Sequence, residues 1–360
     1  MYIWDKKEPT ERRESMPSLT EAQLKMLPEM SGLLQVRYRI LNMVQMLGPI
    51  GRRALADSLS LAEREVRKET DLMREQGLIA ANRTGMSISE AGIQILDVLK
   101  PLVYEWSGIT DLERQLQKHL RVKRMTIVDG NVDQEPSVKA MMGVEAANLL
   151  KREAKQGDII AVTGGSTVAA VGEQLSTASK IRGATFIAAR GGMGVDVKMQ
   201  ANTIAAEFAN NTGNEYRTLY LPEHLSEAAY NAMIHEPIVK DMLDLYDRTD
   251  IVVHGVGSAD EMAWRRNSTS DEVDKLREHG AIGEAFGYYF DETGKAVQRI
   301  RTVGLQLEQV KKCPTVIALA GGASKAKAIL AYFTNAPEQT NFITDLSAAQ
   351  EMLKIIREEI

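Results

Sequence analysis

The chain reads as an α/β protein in which an N-terminal winged helix-turn-helix is joined to a doubly wound domain. Three observations point there. Residues 33–88 hold three helix-patterned segments followed by a short hairpin. From residue 125 onward, apolar β-branched runs alternate with helix-forming segments, the order that builds an open parallel sheet with helices on both faces. Several of those runs also stop at Gly-Gly turns, and Ile159-Ile160-Ala161-Val162-Thr163-Gly164-Gly165-Ser166-Thr167 is the plainest of them.

Bulk properties narrow the class. A length of 360 residues suits two domains, and 44% hydrophobic with 26% charged residues is ordinary for a globular protein. The net charge of −5 means that any nucleic-acid contact must come from a local patch. A single cysteine, Cys313, excludes an internal disulfide framework and a cysteine-rich zinc site. There is no secretory signal and no apolar run near the roughly 18 residues a membrane span needs, so a cytoplasmic protein with no membrane contact is expected.

Residues 1–30 are polar, carry Pro9, Pro17 and Pro28, and read as a flexible tail. In the DNA-binding domain expected at 31–100, Leu33, Val36, Ile40, Val44 and Leu47 recur at helical spacing until Gly48-Pro49 ends the run. A second helix fits 52–59, and Ser60 is a suitable N-cap for a third running to about Gln76. Strands at 78–82 and 86–88 flank Arg83-Thr84-Gly85, and Ser89 caps a helix to about Leu99. This is the order of a winged helix-turn-helix, whose third helix enters the DNA major groove. On that helix Arg64, Arg67 and Lys68 face outward, while Leu61, Val66, Leu72 and Met73 are available to pack inward. Arg52 and Arg53 open the second helix, where phosphate contacts are common. Six basic residues between positions 50 and 76 are balanced by six acidic ones. Charge alone therefore fits a salt-bridged bundle equally well, and the order of elements carries the DNA-binding reading.

Residues 101–123 place Leu112, Leu116 and Leu120 on one helical face and read as a linker helix, with 124–360 as the second domain. There the expected strands are 125–128, 159–162, 185–189, 217–221, 251–254 and 315–320. The expected helices are 138–155, 167–175, 197–210, 235–245 and 323–332. Ligands of such sheets bind beyond the carboxyl ends of the strands, and four strand ends carry chemistry. Gly164, Gly165, Ser166 and Thr167 open a helix whose free N–H groups suit a phosphate. Arg190 leads into Gly191-Gly192-Met193-Gly194 and can fork onto a phosphate. His254-Gly255-Val256-Gly257 ends a third run, and Gly321-Gly322-Ala323-Ser324-Lys325 is a second glycine turn with a lysine. Two such turns with Arg190 suit a ligand bearing two phosphates, although a lone Gly-Gly is more often plain turn chemistry than a ligand site. Neither turn matches the phosphate-loop or dinucleotide pattern. His119, His235 and His279 lack metal spacing, so no metal site is expected.

In combination, Thr163-Gly164-Gly165-Ser166-Thr167, Ala189-Arg190-Gly191-Gly192, Gln200-Ala201-Asn202-Thr203-Ile204, Glu284-Ala285-Phe286-Gly287-Tyr288-Tyr289-Phe290 and Gly321-Gly322-Ala323-Ser324-Lys325-Ala326 resemble the SorC family of bacterial transcriptional regulators. The resemblance runs from about residue 30 to the C-terminus, and Gly51-Arg52-Arg53 and the wing agree with it. It implies a non-enzymatic repressor of glycolytic genes, bound to operator double-stranded DNA as a homotetramer, a dimer of dimers. No cofactor is implied. The effector would be a sugar phosphate, fructose 1,6-bisphosphate, held in a domain similar to sugar-phosphate isomerases. By matching motif, Gly164, Gly165, Ser166 and Thr167 would hold one phosphate, and Arg190 and Lys325 would supply charge. Gln200 and Glu284 would take sugar hydroxyls, with Arg265 a further contact. The rival is an isomerase-like enzyme, because Gly257-Ser258-Ala259-Asp260-Glu261 is similar to the acidic loop of ribose-phosphate isomerases, with Asp260 and Glu261 as acid and base. Gly257 stands where that loop begins with aspartate, and a winged domain has no place on such an enzyme.

Overall fold

A computed structural model of the chain describes residues 25–192, 196–222 and 225–358. Most of the expected tail, and residues 193 and 194 of the glycine-rich loop after Arg190, lie outside the described residues. Residues 28–30 open the first helix.

The N-terminal unit consists of α1 (Pro28–Leu47), α2 (Arg52–Leu59), α3 (Glu63–Glu75), the hairpin β1 (Ile79–Asn82) and β2 (Gly85–Ile88), and α4 (Glu90–Trp106). Its core gathers Ile40, Val44, Leu55, Leu59, Val66, Met73, Met86 and Leu96. The wing turn closes because Asn82 Oδ1 accepts the N–H groups of Thr84 and Gly85 at 2.9 and 3.1 Å, the usual asparagine turn chemistry. Two expectations shift. Ser60 does not cap α3: it ends α2 in the left-handed region (φ 53°), with its N–H spent on the Ala56 and Asp57 carbonyls, and Ala62 precedes α3. The chain must reverse sharply between the two helices, and Ser60 is the residue that turns it. Helix α4, capped by Ser89 Oγ as expected, runs through Pro101 to Trp106, because Leu96 and Val103 bury its inner face. That packing outweighs the single helical hydrogen bond proline removes.

Gly108, in the left-handed region, separates α4 from α5 (Ile109–Leu120). The leucine row of α5 (Leu112, Leu116, Leu120) is buried in the main core of the large domain.

The large domain then runs β3 (Arg124–Val128), α6 (Pro136–Glu153), β4 (Ile159–Val162), α7 (Ser166–Gly172), β5 (Thr185–Ala188), α8 (Ala201–Thr212), β6 (Glu215–Arg217), α9 (Glu227–Met233), α10 (Pro237–Asp247) and β7 (Ile251–Gly255). There follow β8 (Gly257–Ser258), α11 (Ala259–Arg265), α12 (Ser270–Glu278), β9 (Gly283–Ala285), β10 (Tyr288–Phe290), β11 (Ala296–Arg299), α13 (Leu307–Lys312), β12 (Thr315–Leu319), α14 (Ala326–Phe333), β13 (Thr340–Asp345) and α15 (Leu346–Glu358). Seven parallel strands form the main sheet in the order β3-β13-β12-β7-β4-β5-β6. Along β4 the side chains alternate between two cores. Ile160 and Val162 pack with Met142, Phe186 and Phe208 on one face, and Ile159 and Ala161 pack with Leu116, Ile329 and Met352 on the other. From β4 the chain progresses outward through β5 and β6, then returns to add β7, β12 and β13 on the other side. The order thus reverses between β4 and β7, and a crevice forms at their carboxyl ends.

The strand expected at 217–221 lies at Glu215–Arg217. A four-stranded antiparallel sheet, β11-β10-β9-β8, stands beside the main sheet. No helix among the described residues is long and apolar enough to cross a membrane.

Candidate functional site

The crevice between β4 and β7 is a cleft that brings together Gly164, Gly165, Ser166, Thr167, Arg190, Gln200, Arg265, Glu284 and Lys325. Strand termini explain the convergence. Thr163 continues β4 and is tied to β7 on both sides: its N–H reaches the Val253 carbonyl at 3.0 Å, and its Oγ1 accepts the Gly255 N–H at 3.3 Å. The turn must then double back. Gly165 takes φ 119°, and a side chain at Gly164 would strike the Met199 carbonyl. The Gly165 N–H is donated to that carbonyl at 2.9 Å, so it holds the turn together, and the N–H groups that open α7 remain to meet an anion.

Charge is arranged in two clusters. After β5, Arg190 is 6% exposed, and its Nη1 lies 3.7 Å from Glu284 Oε1. Arg266, not among the residues expected here although its neighbour Arg265 is, places Nη2 3.0 Å from the same oxygen and Nη1 2.9 Å from the Tyr289 hydroxyl. Glu284 also accepts the Gly287 N–H. This carboxylate therefore seats two arginines, where a sugar-hydroxyl acceptor was expected. In the second cluster, Glu261 lies 2.9 Å from Lys325 Nζ and 2.7 Å from Arg265 Nη2. Burial pushes the Glu261 carboxyl up, but Lys325 and Arg265 outweigh that and hold it below the usual glutamate range. Four cations against two carboxylates leave the cleft lining with two net positive charges.

The second glycine turn does not cradle a phosphate as the first can. The Gly322 N–H is taken by Asp345 at 2.9 Å, and Ser324 donates through its N–H to Asp133 at 3.3 Å. Lys325 is the turn residue that lines the cleft. The Asp260 and Glu261 pair does not form either: the Asp260 side chain is 76% exposed and faces Arg277 at 3.5 Å, leaving Glu261 alone in the cleft.

Beside the cleft, His254 is fully buried on β7. Its Nδ1–H donates to the Gly255 carbonyl at 3.1 Å, which leaves Nε2 to accept the Tyr332 hydroxyl at 3.2 Å. Burial lowers its pKa to about 4 and keeps the ring neutral.

On the N-terminal unit, α3 exposes Arg64, Arg67 and Lys68. Arg67 is paired with Glu63 at 3.4 Å, whereas Arg53 and Arg64 have no ion pair among the described residues. Arg52 reaches from α2 to Asp71 at 2.5 Å and so helps fasten α3 in place. The Glu69 carboxylate, buried on the other side of α3, pairs with Arg37 of α1 at 2.6 Å.

Comparison with known proteins agrees with this two-part architecture. Residues 33–103 match the model of the CggR N-terminal DNA binding domain, and residues 104–354 match the Sugar-bind model of a sugar-binding domain. The chain is 42% identical to the central glycolytic genes regulator of Bacillus subtilis over 339 residues, 94% of this chain and 99% of that protein. Its identity to the central glycolytic genes regulator of Priestia megaterium is also 42%, over 94% of this chain and 99% of the relative. Among solved structures, a SorC family transcriptional regulator from Enterococcus faecalis shares 42% identity with a TM-score of 0.64, covering 68% of this chain and 99% of that one. The full-length sorbitol operon regulator SorC from Klebsiella pneumoniae, at 19% identity, shares the fold with a TM-score of 0.65 over 87% of this chain and 97% of its own. Relatives named as regulators, together with a DNA-binding domain, set the chain apart from the isomerases whose loop it resembles, and it belongs to the SorC family of bacterial transcriptional regulators.

Proposed function

We propose that the chain represses glycolytic genes in the cytoplasm by binding operator DNA as a dimer of dimers, and that fructose 1,6-bisphosphate seated in the cleft lowers its hold on that DNA. Residues 31–100 act as the DNA-binding unit and 124–360 as the effector and oligomerisation unit. One observation supports the choice of ligand most: two separate cationic clusters line the cleft, Arg190 with Arg266 and Arg265 with Lys325. A doubly phosphorylated sugar can place one phosphate at each, with the N–H groups opening α7 completing one of the two sites. The Gln200 side chain, on the same lining, supplies an amide for the sugar hydroxyls.

A ligand changes DNA binding only through different affinities for two conformations of the protein. A thermal-shift panel of glycolytic intermediates tests the identity directly, because a ligand bound only by the folded state raises its stability by mass action. Fructose 1,6-bisphosphate should give the largest shift, and an equal or larger shift with a monophosphate contradicts the assignment.

A further inference from the structure

The two domains meet through the segment that joins β3 to α6. Arg39 of α1 lies 2.7 Å from Glu135 and 3.6 Å from Asp129, the two ends of the 129–135 loop. Just beyond the loop, Ser137 Oγ donates to the Ser58 carbonyl of α2 at 2.8 Å, and Glu145 of α6 pairs with Lys100 of α4 at 2.5 Å. The middle of the same loop is fastened to the second glycine turn. The Val132 N–H donates to Asp345 at 2.8 Å, and the Asp133 carboxylate accepts the Ser324 N–H and hydroxyl at 3.3 and 3.2 Å. Ser324 immediately precedes Lys325, which reaches into the cleft and pairs with Glu261 at 2.9 Å. The loop is thus held at its centre by the cleft and at its ends by the DNA-binding unit.

We propose that this loop is the relay between effector and DNA: an anionic ligand that draws Lys325 shifts the Ser324 turn, Asp133 follows, and Arg39 is re-seated between Asp129 and Glu135. The bonds from Ser324 to Asp133 are at the long end of the hydrogen-bond range, so the turn can exchange them without disrupting the sheet beneath. Glu135, the nearer partner of Arg39, directly precedes α6, so movement of the loop is passed to the helix that carries further contacts with the DNA-binding unit, those of Ser137, Glu145 and Met141 among them. Asp133 and Arg39 are positioning residues in this scheme, and neither lines the cleft. The relay rests on the reading of the cleft as a sugar-bisphosphate site.

The test uses the full chain with fructose 1,6-bisphosphate as the probe and operator DNA selected by the protein from random duplexes. Sugar affinity is measured by calorimetry. Operator affinity is measured by fluorescence anisotropy with and without the sugar, giving a coupling ratio for each protein. For wild type that ratio should be about tenfold or more. Asp133→Ala and Arg39→Gln should each bind the sugar within about threefold of wild type while their ratio falls to about one. If Asp133→Ala does not fold, Arg39→Gln, at the other end of the relay, decides alone. A folded variant that keeps the wild-type ratio overturns the relay and leaves the effector reading standing. A wild-type protein that does not bind the sugar overturns the effector reading and the relay with it.

Discussion

The Glu261 carboxylate lies 2.9 Å from the Lys325 ammonium, joining α11 to the turn that follows β12 across the cleft. The ion pair fixes the lysine at the edge of the cleft, where the proposed phosphate would meet it. Replacing Lys325 with Met removes a charge-assisted contact worth about 1.5–3 kcal/mol and leaves Glu261 to repel the anion. The expected result is a loss of bisphosphate affinity of about 10- to 150-fold by calorimetry, with operator binding in the absence of sugar unchanged. Lys325→Arg should recover part of the loss.

Gly287 is the floor on which Arg190 rests. Its φ is 76°, and a side chain there would run into the Arg190 guanidinium. Gly287→Ala should therefore weaken sugar binding as much as Arg190→Ala does, and add a backbone cost of about 1–2 kcal/mol for the left-handed conformation. Calorimetry and thermal melting separate the two effects. Unchanged affinity in Gly287→Ala would show that Arg190 does not need its present seat.

Burial of His254 makes stability depend on pH. Its pKa is lowered to about 4 in the folded protein against 6.5 for the free side chain, so the unfolded chain binds the proton more readily. The contribution is complete above pH 6.5 and is lost as pH falls toward 4, to a total of about 3 kcal/mol. Between pH 7.5 and 5 the thermal midpoint should drop, and His254→Gln should show a smaller drop from a lower starting value. An equal drop in the variant would place the pH dependence elsewhere.

On the DNA-binding unit, the exposed arginines separate two kinds of contact. If Arg53, exposed at the start of α2, meets backbone phosphate as proposed, Arg53→Ala should weaken binding to all sequences alike and reduce the slope of log K against log salt by about one. Arg64, exposed on α3, is the residue proposed to meet base edges. Arg64→Ala should cost about 1–3 kcal/mol on the operator and much less on unrelated duplexes. Anisotropy titrations over a salt series distinguish them.

Much of this was legible in the chain because local patterns and tertiary demands agree. The 159–162 and 251–253 runs are apolar and mostly β-branched, as suits strands buried on both faces, and both appear as strands. Strand β13 was hidden by its own chemistry. Thr340, Asn341, Thr344 and Asp345 read as polar, yet all are buried, with Asp345 bonded to the N–H groups of Val132, Gly322 and Ala348. The antiparallel sheet escaped notice because its strands are two to four residues long, too short for periodicity to register. At the cleft, the motif residues were visible while their division of labour was not. That Glu284 seats Arg190 and Arg266, and that carboxylates already fill the second glycine turn, depends on contacts between segments far apart in sequence.

The most direct measurement is a titration of the operator complex, at one fixed salt concentration, with fructose 1,6-bisphosphate and in parallel with fructose 6-phosphate. If two cationic clusters read two phosphates, the bisphosphate should weaken operator binding by about tenfold or more, and the monophosphate should do so only at far higher concentration. Equal potency of the two sugars, or an operator complex indifferent to both, would contradict a two-phosphate sensor.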